Sequence, residues 1–256
     1  MENSQLPRVG RYDFQIEPFH CDFTNRLFPG HLGNGMLNAA DYHSTERGYG
    51  VAELNVSHKT WVLSRFAIEI LEMPFAYDKV AVKTWVEAAK KFFTSRNFAV
   101  TSPDGQKAYA YGKSIWAMID TNTRQPTDIL SIKNGIILNY IESEESCPIV
   151  APSRVVIGHD MPFARKVDTH YNDVDINGHV NSVRYIDHIL DLFSLVYYRT
   201  HQLRRIDIAY IAEAHAGDQL LLFKEEVEAD EFVVRIVREE DKEIEIVRCK
   251  VKFVKD

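Results

Sequence analysis

Four groups able to move protons or hold an oxyanion fall within seven residues: Asp173, Asp175, Asn177 and His179. A carboxylate in an apolar cleft can act as a general base, and an imidazole can do the same near neutral pH. An amide N–H can stabilise a developing oxyanion. Such a set suits attack of water on an ester or thioester. A second reading is calcium, because Asp173, Asp175, Asn177 and Gly178 match the first half of an EF-hand loop. Its twelfth position should be a bidentate glutamate and is Arg184 instead, and the preceding helix is replaced by Pro162 and the strand-like stretch from Ala164 to Thr169. A third reading is purely local: Asn177-Gly178 turns the chain, Asn181 or Ser182 caps a helix, and the two acids favour its N-terminal dipole. Part of that holds in any reading, but it leaves the imidazole beside the amide and the acids unexplained. No G-x-S-x-G elbow occurs and no cysteine lies near, so nothing calls for a covalent acyl-enzyme.

The elements that must position these groups repeat. Each half opens on a polar loop with Gly-His, continues into one helix and ends in strands. In the first half Gly30-His31 leads a helix from about His31 to Arg47, with Met36, Leu37, Ala40, Tyr42 and His43 on or near its apolar side. Gly48 and Gly50 end it. In the second half Gly178-His179 opens a helix predicted to reach Tyr198, with Ile186, Ile189, Leu190, Phe193, Val196 and Tyr197 at helical spacing. Strands are expected at 61–71, 79–86, 92–101 and 107–119, then at 205–212, 219–227, 232–238 and 243–253. The turns between them include Ser102-Pro103-Asp104-Gly105, Ala216-Gly217-Asp218 and Glu239-Glu240-Asp241. The last strand changes phase between Ile244/Ile246 and Val247/Cys249/Val251/Phe253, which predicts a β-bulge near Ile246-Val247. Residues 127–153 hold one candidate helix, Ile129 to Tyr140, then an acidic run and prolines; this linker places the boundary near Val150, giving domains 1–150 and 151–256. Helix plus antiparallel strands, twice over, makes an α+β pseudo-dimer in one chain.

Bulk properties narrow the partners. The chain has 256 residues, 45% hydrophobic and 26% charged, as an ordinary soluble globule does. A net charge of −7 argues against nucleic acid. Three scattered cysteines, Cys21, Cys147 and Cys249, form neither a disulfide framework nor a zinc pattern, which favours a reducing cytoplasm. The N-terminal stretch lacks an apolar core of signal-peptide type, and no apolar run is long enough for a membrane span.

The segment Asp175-x-Asn177-x-His179-Val180-Asn181-x-Val183-x-Tyr185 resembles the signature of the acyl-acyl-carrier-protein thioesterases, the plant plastid enzymes and their bacterial relatives. Further matches keep their order: Trp61-Val62-Leu63-x-Arg65, Thr84-Trp85, Phe92-Phe93-x-x-Arg96-x-Phe98 and Trp116-x-x-Ile119-Asp120-x-x-Thr123-Arg124-x-Pro126. The resemblance spans residues 10 to 254. It implies a double hotdog: two tandem units, each an antiparallel sheet wrapped around a long helix. It also implies that Asp175, Asn177, His179 and, in the strand after the helix, Glu213 are catalytic. In many plant members a cysteine follows this glutamate; here it is Ala214, so water activation is the simpler chemistry. By the same resemblance His31 would match His179 and Glu69 would match Glu213, with Phe28-Pro29 in place of Ile176-Asn177. The first half would then be a degenerate site shaping the acyl pocket, and His31 a core or capping residue. Met36, Phe66, Ile68, Ile70 and Trp116 are candidates for an acyl tunnel, though bare apolar residues are more often core.

The implied reaction is hydrolysis of a medium- or long-chain acyl carrier thioester to free fatty acid and carrier thiol, ending fatty acid synthesis. Helix N-terminal amides and Asn177 would hold the carbonyl oxygen, Asp175 would orient Asn177 or His179, and Glu213 or His179 would take the proton from water. No metal or redox cofactor is required. The acidic carrier would need a basic patch, for which Lys90-Lys91, Arg165-Lys166, Arg184 and Arg204-Arg205 are available. The rivals are an acyl-CoA thioesterase on the same fold, a non-catalytic acyl-binding module and a hotdog dehydratase. A double hotdog already buries the interface of single hotdogs, so a monomer is compatible with it; homodimers of such units also occur in the family.

Overall fold

Among the described residues ten strands form a single sheet whose order reads nearly the same from either end. The computed structural model describes residues 6–158, 160–240 and 243–255. Its elements are β1 (Gly10–Gln15), α1 (Pro29–Glu46), α2 (Val51–Asn55), β2 (Lys59–Ile70), β3 (Lys79–Ala89), β4 (Phe93–Thr101), β5 (Ala108–Asp120), β6 (Phe163–Asp168), α3 (Ser182–Leu190), α4 (Leu195–Tyr198), β7 (His201–Tyr210), β8 (Gln219–Glu228), β9 (Glu231–Arg238) and β10 (Ile244–Lys255). The sheet order is β1-β3-β4-β5-β2-β7-β10-β9-β8-β6, all neighbours antiparallel. Each half contributes five strands in the same order outward from the β2–β7 seam. That seam pairs Arg65 with Ala209 through Glu69 with Arg205 and carries an Arg205–Glu69 ion pair of 3.1 Å. The α+β double hotdog is thus one continuous sheet with its two halves joined edge to edge.

Strand alternation drives this arrangement. In β10 Val247, Cys249, Val251 and Phe253 are buried, and the register against β9 slips between Glu245 and Val247, which is the bulge the phase change predicts. Asp241 of the expected turn lies outside the described residues. β1 escapes the sequence pattern because its alternate residues Arg11, Asp13 and Gln15 are polar; it is a short edge strand, where charge blunts unwanted pairing.

Two helical expectations change. The helix expected at 129–140 is two 3-10 turns, Ile129–Asn134 and Ile136–Tyr140, which bury Ile129, Ile132 and Ile137 in a satellite core with Tyr49, Leu54, Val86 and Met118. The helix expected to run from His179 to Tyr198 is α3 followed by α4. Ser194 caps α4, its Oγ accepting from the Tyr197 amide, and the break lets Phe193 pack on Phe253 and Phe232, with ring centroids 4.7 and 4.9 Å away.

Helices α1 and α3 meet over small residues. A Cβ on Gly30 would fall 2.0 Å from Asp187 Oδ1, so the glycine lets the helices meet this closely without displacing the Asp187 carboxylate. The contact sets the start of α3, and therefore the loop before it, against the first half. The main core is one cluster that includes Phe66 and Ile68 of the first half with Ile206 and Ile208 of the second.

Candidate active site

The loop before α3 is a tight hairpin rather than a helix mouth. Val174 bridges Val180, the Asp175 amide donates to the His179 carbonyl (2.9 Å), and the Gly178 amide donates to the Asp175 carbonyl (3.0 Å). Gly178 has φ +82°, a conformation that disfavours any side chain. The Asp175 carboxylate accepts from the Asn177 amide at 2.8 Å, an Asx turn that fixes the spacing of the trio. Asp175 therefore orients Asn177 through its backbone. α3 starts only at Ser182, capped by Asn181, whose Oδ1 takes the Val183 amide and whose carbonyl takes the Arg184 amide. This corrects the expectation that His179 opens the helix and that its first amides are open to an oxyanion. The Asn177 carboxamide is exposed, lines the adjoining cavity and has no protein hydrogen bond among the described residues.

The residues after β7 complete the site. His179 Nε2 lies 3.4 Å from Glu213 Oε2, and the Arg124 guanidinium donates to that same oxygen. His179 Nδ1 has no protein partner among the described residues. The His215 ring meets the His179 ring edge-on, with centroids 5.1 Å apart. Arg238 donates to the Glu213 carbonyl (3.1 Å) and pairs with Asp218 (3.3 Å), while Asp218 also accepts from the His215 amide (2.8 Å). The 213–218 loop is thus tied to β9. Arg124 belongs to the first half, in the loop after β5, where the Asp120 carboxylate gathers the amides of Asn122 and Thr123 and the chain takes φ +60° at Arg124. Sequence reasoning places Arg124 in a family motif without a role; its signal was a cation in a motif otherwise made of turn residues. Ala214 is fully buried, and its carbonyl accepts from Val180, so a side chain there enters the core and not the site.

The two halves superpose through their hydrogen bonds, and the register differs from the one the resemblance suggested. The Asp22 amide donates to the Arg26 carbonyl (2.8 Å), the Thr24 amide to the Asp22 carboxylate (2.7 Å) and the Leu27 amide to the Pro74 carbonyl (2.9 Å). These repeat the bonds of Asp175, Asn177 and Val180. Asp22, Thr24, Arg26 and Met73 therefore stand where Asp175, Asn177, His179 and Glu213 stand. His31 is not the counterpart of His179; it is exposed, makes no cap and stacks on His20 at 3.9 Å. Partial desolvation of its ring against the protein, then the neighbouring His20, hold its pKa below the ordinary value. Glu69 is not the counterpart of Glu213; it lies within β2, paired with Arg204 and Arg205.

A cavity of about 1010 Å³ opens beside this loop, lined from both halves. Asp175, Asn177, His179 and Glu213 line one part of it with Arg124; Leu37, Trp61, Leu63, Trp116 and Ile137 supply apolar wall. Of the expected tunnel residues only Trp116 lines it. Met36, Phe66, Ile68 and Ile70 are plain core. Tyr185, also on the wall, has a buried hydroxyl, and burial pushes its pKa well up. Among the described residues no group of three or more His, Cys, Asp or Glu is placed to hold a metal ion, and no helix is long and apolar enough to cross a membrane. Of the basic clusters, Arg165, Lys166, Arg184, Arg204 and Arg205 each sit against a carboxylate. Lys90 and Lys91 are exposed and make no ion pair among the described residues.

The fold agrees with what the chain is similar to. An acyl-ACP thioesterase from Bacteroides thetaiotaomicron is 47% identical and superposes with a TM-score of 0.89 over 96% of this chain and 98% of that one. The 12:0-ACP thioesterase from Umbellularia californica shares the fold at 17% identity, with a TM-score of 0.85 over 99% of this chain and all of that one. The chloroplastic palmitoyl-acyl carrier protein thioesterase of Gossypium hirsutum is 27% identical over 172 residues, 65% of this chain and 41% of the relative. The chain thus spans about two fifths of the length of the curated plant relatives it matches first. The family models for the acyl-ACP thioesterase N-terminal and C-terminal domains match residues 8–133 and 159–255, and the chain belongs to the acyl-ACP thioesterase family.

Proposed function

We propose that the chain hydrolyses the thioester linking an acyl chain to an acyl carrier protein, releasing free fatty acid and the carrier thiol. The observation that carries this is the Arg124–Glu213–His179 array at the edge of a cavity shared by both halves. A carboxylate clamped by a guanidinium and turned to one ring nitrogen fixes the imidazole, leaving Nδ1 to take a proton from water. Water attacks the thioester carbonyl, the Asn177 carboxamide donates to the developing oxyanion, and the imidazolium returns the proton to the leaving sulfur. Asp175 contributes by holding the Asn177 backbone. Residues 1–150 shape the acyl pocket and supply Arg124; residues 151–256 carry the hairpin and Glu213. The medium- and long-chain carriers are the expected substrates, and the reaction needs no bound cofactor in this reading.

The test is thiol release from acyl carrier protein and coenzyme A esters of matched length, with His179→Gln and Glu213→Gln alongside. Fast release from the carrier ester, lost in both variants, supports the reading. Release from coenzyme A esters alone makes the chain an acyl-CoA thioesterase. Binding of an acyl ligand with no release from either overturns catalysis.

A further inference from the structure

The repeat of the two halves extends past Glu213. Phe75 stands two residues after Met73, and His215 two residues after Glu213. The Phe75 amide donates to the Asp78 carboxylate (2.9 Å), and the His215 amide donates to the Asp218 carboxylate (2.8 Å). Phe75 lies against Arg26, as His215 lies against His179. The frame therefore holds a ring at this place in both halves, and in the first half a phenyl ring satisfies it. Building the loop does not require an imidazole, yet the half that carries Asn177, His179 and Glu213 has one.

The setting of that imidazole leaves one nitrogen free. Arg238 Nη1 donates to His215 Nδ1 at 3.5 Å, and Asp218 Oδ2, at 3.7 Å from the same nitrogen, is beyond hydrogen-bond reach. A guanidinium has donors only, so Nδ1 accepts and the ring proton sits on Nε2. His215 Nε2 has no protein partner among the described residues. The ring also stands on the solvent side of the reacting groups. It lies outside the cavity wall and its side chain is 52% exposed, against 26% for His179.

In the thioesterase reading the acyl chain fills the cavity, and a carrier protein is too large to follow it. With the carbonyl at Asn177 and His179, the sulfur and its arm must run outward, past the His179 ring toward His215. We propose that His215 Nε2–H donates a hydrogen bond to the leaving sulfur. The water oxygen bonds to the carbonyl carbon, and the C–S bond breaks with its electron pair passing to sulfur. The proton that ends on sulfur is the one His179 took from water, and His215 keeps its own. His215 lowers the barrier by meeting the charge as it develops. The inference rests on the thioesterase reading and deepens it, by naming the residue that serves the leaving side of the substrate.

The experiment installs the first half's ring, as His215→Phe, and compares a carrier ester with a thiophenyl ester of the same acyl chain. An alkyl thiolate is a strong base and needs the donor, whereas an aryl thiolate leaves unaided. The variant should lose about 10–100-fold in kcat on the carrier ester and less than about threefold on the thiophenyl ester. His215→Gln, which restores an N–H donor, should recover part of the loss. His215→Ala, read on the same two esters, gives the comparison without a ring, and urea midpoints show that each variant is folded. An equal fall on both esters overturns the proposal, because His215 would then act through the His179 ring on the attack step. An unchanged rate on the carrier ester overturns it as well. Failure of the unaltered protein to hydrolyse either ester overturns the thioesterase reading and this inference with it, so the two failures are told apart by the unaltered protein.

Discussion

Arg26 occupies in the first half the place that His179 occupies in the second: each closes a hairpin with a carbonyl that accepts from the aspartate four residues earlier, and each lies against the ring two residues after Met73 or Glu213. For Arg26 that ring is Phe75, 5.7 Å from the guanidinium; for His179 it is His215. The geometry of the loop has been kept in both halves, while Asn177, His179 and Glu213 stand in only one.

From this follows an asymmetry in two aspartate variants. Asp22 accepts from the Thr24 amide, the Thr24 hydroxyl and the Arg26 amide. Asp22→Ala should cost about 1–2 kcal/mol of stability and leave kcat within about twofold of the unaltered enzyme. Asp175→Ala removes the equivalent support from Asn177 and should lower kcat by at least about tenfold. Urea midpoints and thiol-release rates on both variants check it, and an equal fall in kcat for the two would sink the division between the halves.

Arg124 should behave as a positioning residue. Arg124→Met leaves Glu213 without its cation and should reduce kcat by about 10–100-fold, the size of about 1.5–3 kcal/mol for a charged hydrogen bond. Arg124→Lys, which keeps charge but loses the planar fork, should recover part of it. A change confined to KM would show instead that Arg124 touches substrate.

Much of this arrangement was legible in the sequence, and the reasons are specific. Alternation in β10 and its change of phase gave both the strand and its bulge, because burial on one face leaves a period-two trace. Asp175, Asn177 and His179 stood out because they are close in sequence. Arg124 lies 89 residues from Glu213, and no local pattern carries a contact of that span. β1 was missed because an edge strand of polar residues lacks the alternation. The false equivalence of His31 with His179 came from matching Gly-His dipeptides; the hydrogen-bond frame puts the turn at Asn25 in register with Gly178, five residues before Gly30.

His43 gives the fold an acid-sensitive point. Its ring is buried between the Arg8 carbonyl (2.9 Å) and the Tyr49 hydroxyl (3.2 Å), and burial, with Arg96 and Arg47 nearby, lowers its pKa from 6.5 to about 2. Below pH 6.5 the unfolded chain binds a proton there that the folded chain does not. Stability contributed by this residue is complete above pH 6.5 and is lost as pH falls toward 2, with a slope of at most about 1.4 kcal/mol per pH unit. His43→Gln should flatten the dependence between pH 6 and pH 4 in urea titrations, and an unchanged slope would rule His43 out as its source.

Ala214→Cys should not create a covalent enzyme. The side chain at 214 points into the core, fully buried, and its backbone is pinned by Val180. Added volume there should cost about 1–3 kcal/mol, and the thiol should resist alkylation in the folded protein. A burst of thiol release or rapid labelling by iodoacetamide would show the opposite.

Carrier recognition should depend on Lys90 and Lys91. An acidic partner meeting a chain of net charge −7 needs a local cation, and the other clusters considered are already engaged by carboxylates of this chain. The two lysines stand at the turn between β3 and β4, and β4 supplies Thr94 and Arg96 to the cavity wall. Unpaired cations at a rim act mainly on encounter, so their effect should appear in KM and in salt dependence while kcat holds. Charge reversal of both, Lys90→Glu with Lys91→Glu, should raise KM for the carrier ester about tenfold and flatten its rise with salt. KM for the matched coenzyme A ester should change far less, because that substrate lacks the acidic protein surface. If both values of KM move together, the lysines shape the cavity entrance and the carrier docks elsewhere.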